Sequence, residues 1–160
     1  MILGTHYQGD GRCAFTVWAP LLNNVTLKIL APAERLIPMT RAEQGYWKTE
    51  IENVFPGAWY LYRLNGEKER PDPASRFQPL GVHGPSQVID PDEFAWGDHG
   101  WKGMPLKDFI IYELHTGTFT KQGTFESIIP HLDYLKELGI TAVELMPVAQ
   151  FPGTSDKNRR

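Results

Sequence analysis

Two hydrophobic periods divide the chain. In residues 1–89 short runs alternate apolar and polar positions, and turn formers separate them at near-regular spacing. CAFTVW at residues 13–18 predicts a strand that Pro20 stops. Residues 25–30 put Val25, Leu27 and Ile29 on one face and Thr26 and Lys28 on the other, the period of a half-buried strand. Residues 35–39 make a short edge candidate because Pro38 cannot donate to a central ladder. After Gly45, residues 46–52 alternate again. The strongest strand pattern, AWYLYRL at residues 58–64, lies between a Pro56-Gly57 turn and the hairpin signal Asn65-Gly66. Residues 67–70 read as the returning strand and 86–90 as the last. Short strands so spaced predict a β-sandwich.

The period changes after residue 105. Residues 109–114 are apolar on both faces, as a central parallel strand is. Gly117 and Gly123 flank a polar loop, and Thr124 is a good N-cap. Phe125, Ile128, Ile129, Leu132, Leu135 and Leu138 then fall on one helical stripe. Pro130 should kink that helix or split off its first turn, and Gly139 should end it. Residues 140–146 are a second buried strand, closed by Pro147. This is one βαβ unit. A single unit cannot cover both faces of a parallel sheet, so it should leave open strand edges and an uncovered apolar helix face. Residues 105–160 are therefore expected to be poorly ordered, to dock on the sandwich or to self-associate. Between the two patterns, residues 71–85 carry four prolines and two glycines and should be irregular but packed. Residues 91–105 read as a linker pinned by Trp96 and Trp101, with glycan contact as the alternative role of those rings. The polar tail, residues 154–160, reads as a frayed end. The expected boundaries are 1–90 for the sandwich, 91–105 for the linker and 106–160 for the βαβ unit.

Composition narrows the function classes. The 160 residues are 41% hydrophobic and 22% charged, which is globular rather than disordered. A net charge of -3 provides no basic field for nucleic acid or an anionic membrane. Cys13, the single cysteine, excludes an internal disulfide and fits a reducing compartment. The N-terminus has no signal-peptide pattern and no apolar run reaches the length of a membrane span. The default expectation is a cytoplasmic protein. The five histidines show no metal-ligand spacing, and phosphate-loop, dinucleotide and Gly-x-Ser-x-Gly patterns are missing. No metal or cofactor is expected.

In a (β/α)8 barrel the C-terminal ends of the strands face the active site. Glu113 and His115 take that position on the first predicted strand, and Glu144 interrupts the apolar run of the second. Paired carboxylates are the chemistry of glycosidic-bond hydrolysis. The alternative is that Glu113 and Glu144 are structural, hydrogen-bonded or paired with basic groups inside a barrel. His115 and Glu144 are the substrate-binding candidates, and no residue is assigned a catalytic role. On the sandwich, Trp47, Trp59, Tyr60 and Tyr62 are glycan-stacking candidates if their rings are exposed and core if they are not. Trp59, Leu61 and Arg63 alternate with Tyr60, Tyr62 and Leu64, so both faces are apolar and at least one is core.

Several stretches carry a family resemblance. Phe15-Thr16-Val17-Trp18-Ala19-Pro20 resembles the opening of the immunoglobulin-like N-terminal domain of branching and debranching enzymes. Residues 72–79 (DPASRFQP), 81–86 (GVHGPS), 112–120 (YELHTGTFT), 143–148 (VELMPV) and 151–153 (FPG), in that order, resemble the malto-oligosyltrehalose trehalohydrolases among the α-amylase-type glycoside hydrolases. Branching enzymes are similar but less so over residues 72–86. The resemblance implies an immunoglobulin-like sandwich followed by the first βαβ unit of a truncated (β/α)8 barrel. It implies release of trehalose from maltooligosyl-trehalose by hydrolysis of an α-1,4 bond with retention. The family's nucleophile, acid/base and stabilising carboxylate lie near barrel strands four, five and seven, which have no matching positions here. The chain alone is thus expected to be inactive. Pro130 departs from the family's usual helix, and the tail, residues 156–160, ends where the family's Trp-Gly-Tyr-Asp-Gly stretch is expected to start. The implied partner is an α-glucan or maltooligosyl-trehalose, with a separate chain carrying the rest of the barrel as a further candidate. The alternative is an α-glucan-binding module or structural domain of a branching-enzyme-like protein.

Overall fold

The structure, a computed structural model, describes residues 2–149 and 151. The chain divides into two compact units, Met1–Ala95 and Trp96–Arg160. The polar tail expected to fray lies outside the described residues.

The first unit is built from strands β1 (Gly4–Tyr7), β2 (Cys13–Trp18), β3 (Val25–Ala31), β4 (Arg35–Pro38), β5 (Thr40–Arg41), β6 (Tyr46–Ile51), β7 (Trp59–Leu64), β8 (Lys68–Arg70) and β9 (Ser86–Gln87). They form two antiparallel sheets. One has the order β1-β2-β6-β5, and the other runs β4-β3-β7-β8 with β9 also paired to β7. Inward rows from both sheets make one core. Cys13, Phe15 and Val17 of β2 and Trp47 of β6 meet Val25, Leu27 and Ile29 of β3 and Tyr60 and Tyr62 of β7. Phe15 meets Tyr60 edge-on, with ring centroids 5.1 Å apart, a favoured aromatic geometry. Each such fully buried side chain contributes about 1.5–3 kcal/mol. The alternation that predicted β2, β3, β6 and β7 is the alternation of this core. Strand β4, with Pro38, lies on a sheet edge as expected. Strands β1 and β5 are additions that no apolar alternation marks.

Asn65 and Gly66 both have positive φ, 49° and 79°, which suits the right-handed twist of the β7–β8 hairpin. The Asn65 Oδ1 also accepts from the backbone N–H groups of Asn23 and Asn24 at 3.0 and 3.1 Å. Two turns distant in sequence are so tied together.

The proline-rich segment after β8 is irregular but anchored. Asp72 is 3% exposed. Its Oδ2 accepts from the Tyr60 and Tyr62 hydroxyls at 2.8 and 3.2 Å, and its Oδ1 accepts from the Ala74 N–H at 2.8 Å. The Asp72 N–H donates to Ser86 Oγ at 3.0 Å, and Arg76 donates to the Thr5 carbonyl at 2.9 Å. Burial holds the Asp72 carboxyl above the usual carboxylate range, against the hydrogen bonds from Ala74, Tyr60 and Tyr62 that lower it. Burial, reinforced by the Asp72 charge, raises both tyrosine hydroxyls, so they remain donors.

The second unit holds β10 (Ile111–His115), the short helix α1 (Thr116–Phe119), α2 (Leu132–Glu137) and β11 (Ala142–Met146). The strands pair in parallel, Ile111 with Ala142 through His115 with Met146. One detail differs from expectation, and the break at Pro130 agrees with it. Residues 116–119 form a turn of helix where a loop was predicted. Pro130 sits in a 3-10 turn, Ile129–His131, so the α-helix starts only at Leu132. The proline ring at that position excludes a continuous helix from Thr124. The helix end is as expected. Gly139, at φ 93°, lets Ile140 N–H reach the Leu135 carbonyl and its own N–H reach that of Lys136, both at 3.0 Å, a Schellman closure.

Three stability outcomes follow from these contacts. Replacing Asp72 with Ala strands two buried hydroxyls and should cost about 3 kcal/mol in urea unfolding, at ~1–3 kcal/mol per unsatisfied group; Asp72→Asn, which keeps the acceptor for Ala74, should cost clearly less. Because the folded-state value of Asp72 is raised, protonation favours the folded state. Wild-type stability relative to Asp72→Asn should be greatest below pH 3.8, the ordinary value, and fall as pH rises through the raised one; no pH dependence in that difference would refute the assignment. Cys13 is buried, and burial pushes its thiol up to about 12. At pH 8 an aromatic disulfide reagent should label it only at the rate of sandwich opening, and labelling at a free-thiol rate would count against this packing.

Candidate functional site

The predicted site residues lie on the parallel pair of the second unit. Glu113 and Glu144 are direct register partners, and neighbouring strands run about 4.8 Å apart. Partners in a parallel ladder point to the same face. Val143 and Leu145, on the alternate positions of β11, line an apolar groove of about 310 Å³ with Phe125, Ile128, Ile129 and Leu132. That is the helix side, so both carboxylates point to the face away from the helix. Both are exposed. Neither makes an ion pair among the described residues.

His115, two residues after Glu113, ends β10 on the carboxylate face. Its Nδ1 and the Thr116 Oγ1 beside it are buried with no hydrogen-bond partner among the described residues. The loop that follows is held by hydroxyls. Thr120 Oγ1 and Ser127 Oγ are 2.6 Å apart, Gly123 N–H donates to Thr120 Oγ1 at 3.1 Å, and Thr124 and Ser127 exchange backbone-to-side-chain bonds at 3.2 and 3.3 Å. Thr124 so braces a turn and does not cap the helix as expected: α2 starts only at Leu132, with His131 at its N-cap position. Tyr112, Phe119 and His131 stack edge to face beneath it, at 6.2 and 5.5 Å. The structure so brings Glu113, Glu144 and His115 to one face beside a braced loop. Carboxylates and an imidazole there can accept from and donate to the hydroxyls of a polyol. Among the described residues no group of three or more His, Cys, Asp or Glu side chains is placed to hold a metal ion. Nor is any helix there long and apolar enough to cross a membrane.

The predicted helix stripe is covered in part. Ile128 and Leu135 are buried, whereas Phe125, Ile129, Leu132 and Leu138 are exposed. This is the uncovered apolar face that a lone βαβ unit was expected to leave.

Burial decides between the two roles left open for the sandwich rings. Trp47, Tyr60 and Tyr62 are 4%, 0% and 1% exposed, so they are core and cannot stack on a glycan. Trp59 is half-buried. The rings that do reach solvent include Trp18, Trp96 and Trp101. Trp18 was noticed only as part of a motif. Its position as the last outward residue of β2 is the signal that could have found it.

The family described as carbohydrate-binding module 48 (isoamylase N-terminal domain) matches residues 2–90, and the chain belongs to that family. Over nearly its whole length it is also similar to malto-oligosyltrehalose trehalohydrolases and to solved structures of amylase and pullulanase chains. A malto-oligosyltrehalose trehalohydrolase from Saccharolobus solfataricus is 49% identical over 156 residues, 98% of this chain and 27% of that protein. A crystal structure described as an alpha amylase from Salmonella typhimurium has a TM-score of 0.85 at 40% identity, covering 94% of this chain and 25% of the other. The pullulanase from Anoxybacillus sp. LM18-11, solved with maltotetraose, has a TM-score of 0.78 at 27% identity, covering 96% and 26%. The resemblance to malto-oligosyltrehalose trehalohydrolases read from the motifs therefore holds. The chain spans about a quarter of the length of the curated relatives it matches.

Ser127 is the hub of the loop. Ser127→Ala should speed amide exchange at Gly123 and Thr124 by at least about tenfold, the loss of roughly 1.4 kcal/mol of local protection, while leaving Leu114 unchanged. Equal exchange in both proteins would remove the hydroxyl brace as an explanation of loop order.

Proposed function

We propose that the chain is the N-terminal part of a glycoside hydrolase that releases trehalose from maltooligosyl-trehalose, hydrolysing an α-1,4-glucosidic bond with retention. Residues 1–90 form its carbohydrate-binding module, 91–105 its linker and 106–160 the first βαβ unit of its (β/α)8 barrel. The observation that carries this reading is the parallel β10–β11 pair with Glu113 and Glu144 in register on the face away from the helix, within a chain 49% identical to a trehalohydrolase. That face is the interior of a barrel. His115 and Glu144 line one wall of the sugar site there, and the ligand is an α-glucan, as maltotetraose is for the pullulanase.

These 160 residues alone are catalytically silent. Retaining hydrolysis takes two carboxyl groups about 5–5.5 Å apart across the scissile bond, and the family's three carboxylates have no counterparts in this sequence. The chain works in the cytoplasm, joined to or docked on the remainder of the barrel. The second reading, an α-glucan-binding module in its own right, is favoured by the family match over residues 2–90.

The test is a chimera of residues 1–149 with the remainder of the Saccharolobus solfataricus relative. The isolated chain should release no trehalose from maltotriosyl-trehalose, and the chimera should release it. His115→Ala in the chimera should raise KM by about tenfold with kcat nearly unchanged, the signature of lost ground-state binding. A folded chimera without trehalose release, or turnover by the isolated chain, would overturn the reading.

A further inference from the structure

The outward face of the first sheet carries a feature that the barrel reading does not use. On β2, Cys13, Phe15 and Val17 point into the core, so Thr16 and Trp18 point outward. On β6, Trp47 points in and Tyr46, Lys48 and Glu50 point out. The ladder sets Trp18 directly opposite Tyr46 and Thr16 directly opposite Lys48. Directly opposed residues in an antiparallel pair have Cβ atoms about 5 Å apart. Two aromatic side chains thus stand side by side on the outward face of the sheet, Trp18 exposed and Tyr46 half-buried, with an exposed ammonium and carboxylate in the same outward row and Thr16 buried beneath them.

Trp18 is held out rather than folded away. The residue is 56% exposed, and its Nε1–H donates to the Gln44 carbonyl at 3.0 Å. Gln44 adopts φ 57°, and the next residue, Gly45, packs so tightly on Pro20 that an added Cβ would lie 2.4 Å from the Pro20 Cβ. The turn at residues 43–45 therefore has a left-handed backbone and a glycine-only contact, and its exposed carbonyl fixes the indole. Beside the ring an apolar groove of about 220 Å³ runs between Leu3, Val17 and Pro73. Lys48 and Glu50 make no ion pair among the described residues, which leaves them available to hydroxyl groups. The outward face of the other sheet differs. There Glu69 is occupied by Arg63 at 2.8 Å and Lys28 at 3.1 Å.

An orientation-locked ring on an open face, with polar groups beside it, suits the apolar face of a pyranose whose hydroxyls point sideways. We propose that Trp18 and Tyr46, with Lys48 and Glu50, form a malto-oligosaccharide-binding platform on the first sheet. The choice of sugar rests on the α-glucan reading above. The platform itself rests on the ladder register and the Gln44 lock.

Calorimetric titration of the purified chain with maltoheptaose tests it. Wild type should bind in the millimolar range or tighter. Trp18→Ala and Tyr46→Ala should each weaken binding at least tenfold, Trp18→Phe should recover most of the loss, and Trp101→Ala should bind as wild type. Near-ultraviolet circular dichroism and Cys13 protection confirm that the variants fold. Because Trp18→Ala also frees the Gln44 carbonyl, Lys48→Ala serves as a second variant that leaves the turn intact and should weaken binding severalfold. If wild type binds and the Trp18, Tyr46 and Lys48 variants bind equally well, the platform is overturned and the α-glucan reading survives. If wild type shows no binding at saturating sugar, the platform is overturned too, while trehalose release by the chimera still decides the hydrolase reading.

Discussion

The first unit depends on one buried carboxylate. Asp72 takes two tyrosine hydroxyls from β7 and one backbone N–H from its own turn. Those bonds fix the start of a fifteen-residue irregular segment, residues 71–85, which would otherwise have no ladder to hold it. They also let Tyr60 and Tyr62 lie fully inside the core, because a buried phenol needs an acceptor. The aromatic core and the proline-rich strap are therefore one construction. The DPASR stretch that reads as a family signature has here a structural cause. Its aspartate satisfies the core, and its arginine ties the strap to β1.

The second unit shows a different balance. A parallel pair with one helix buries Leu114, Ile128 and Leu135 and leaves most of the helix stripe in solvent. Closure at Gly139 and the threonine–serine brace are local and complete without neighbours. Apolar coverage is not local, because a parallel sheet is covered only by further crossovers. The carboxylate face has the same character. Glu113 and Glu144 stand in register with no cation between them among the described residues. Like charges directly opposite are unfavourable, and both side chains here are exposed to solvent, which screens them.

How far the sequence was legible depended on whether a signal was periodic. Strands β2, β3, β6 and β7 were visible because alternation of buried and exposed positions is itself the packing rule of a sandwich. The helix split at Pro130 and the stop at Gly139 were visible because backbone restriction acts residue by residue. Strands β1 and β5 were not, since both lie on sheet edges and are defined by pairing rather than pattern. The short helix at residues 116–119 was hidden by Gly117. Among the rings, Trp47, Trp59, Tyr60 and Tyr62 read equally well as core or as binding surface, because an aromatic fits either side of a sheet.

The sequence by itself determined the order of most elements, the division into an antiparallel part and a parallel part, and the placing of His115 at the end of one strand and of Glu113 and Glu144 within the pair. These follow from period, turn chemistry and spacing, which are local. Tertiary structure decided which aromatics are inside. It placed Tyr60 and Tyr62 on a buried aspartate twelve and ten residues away, and it set Trp18 beside Tyr46 across a ladder. It also set Glu113 against Glu144. Each of these depends on register between segments distant in the chain, and a one-residue slip would reverse every one of them.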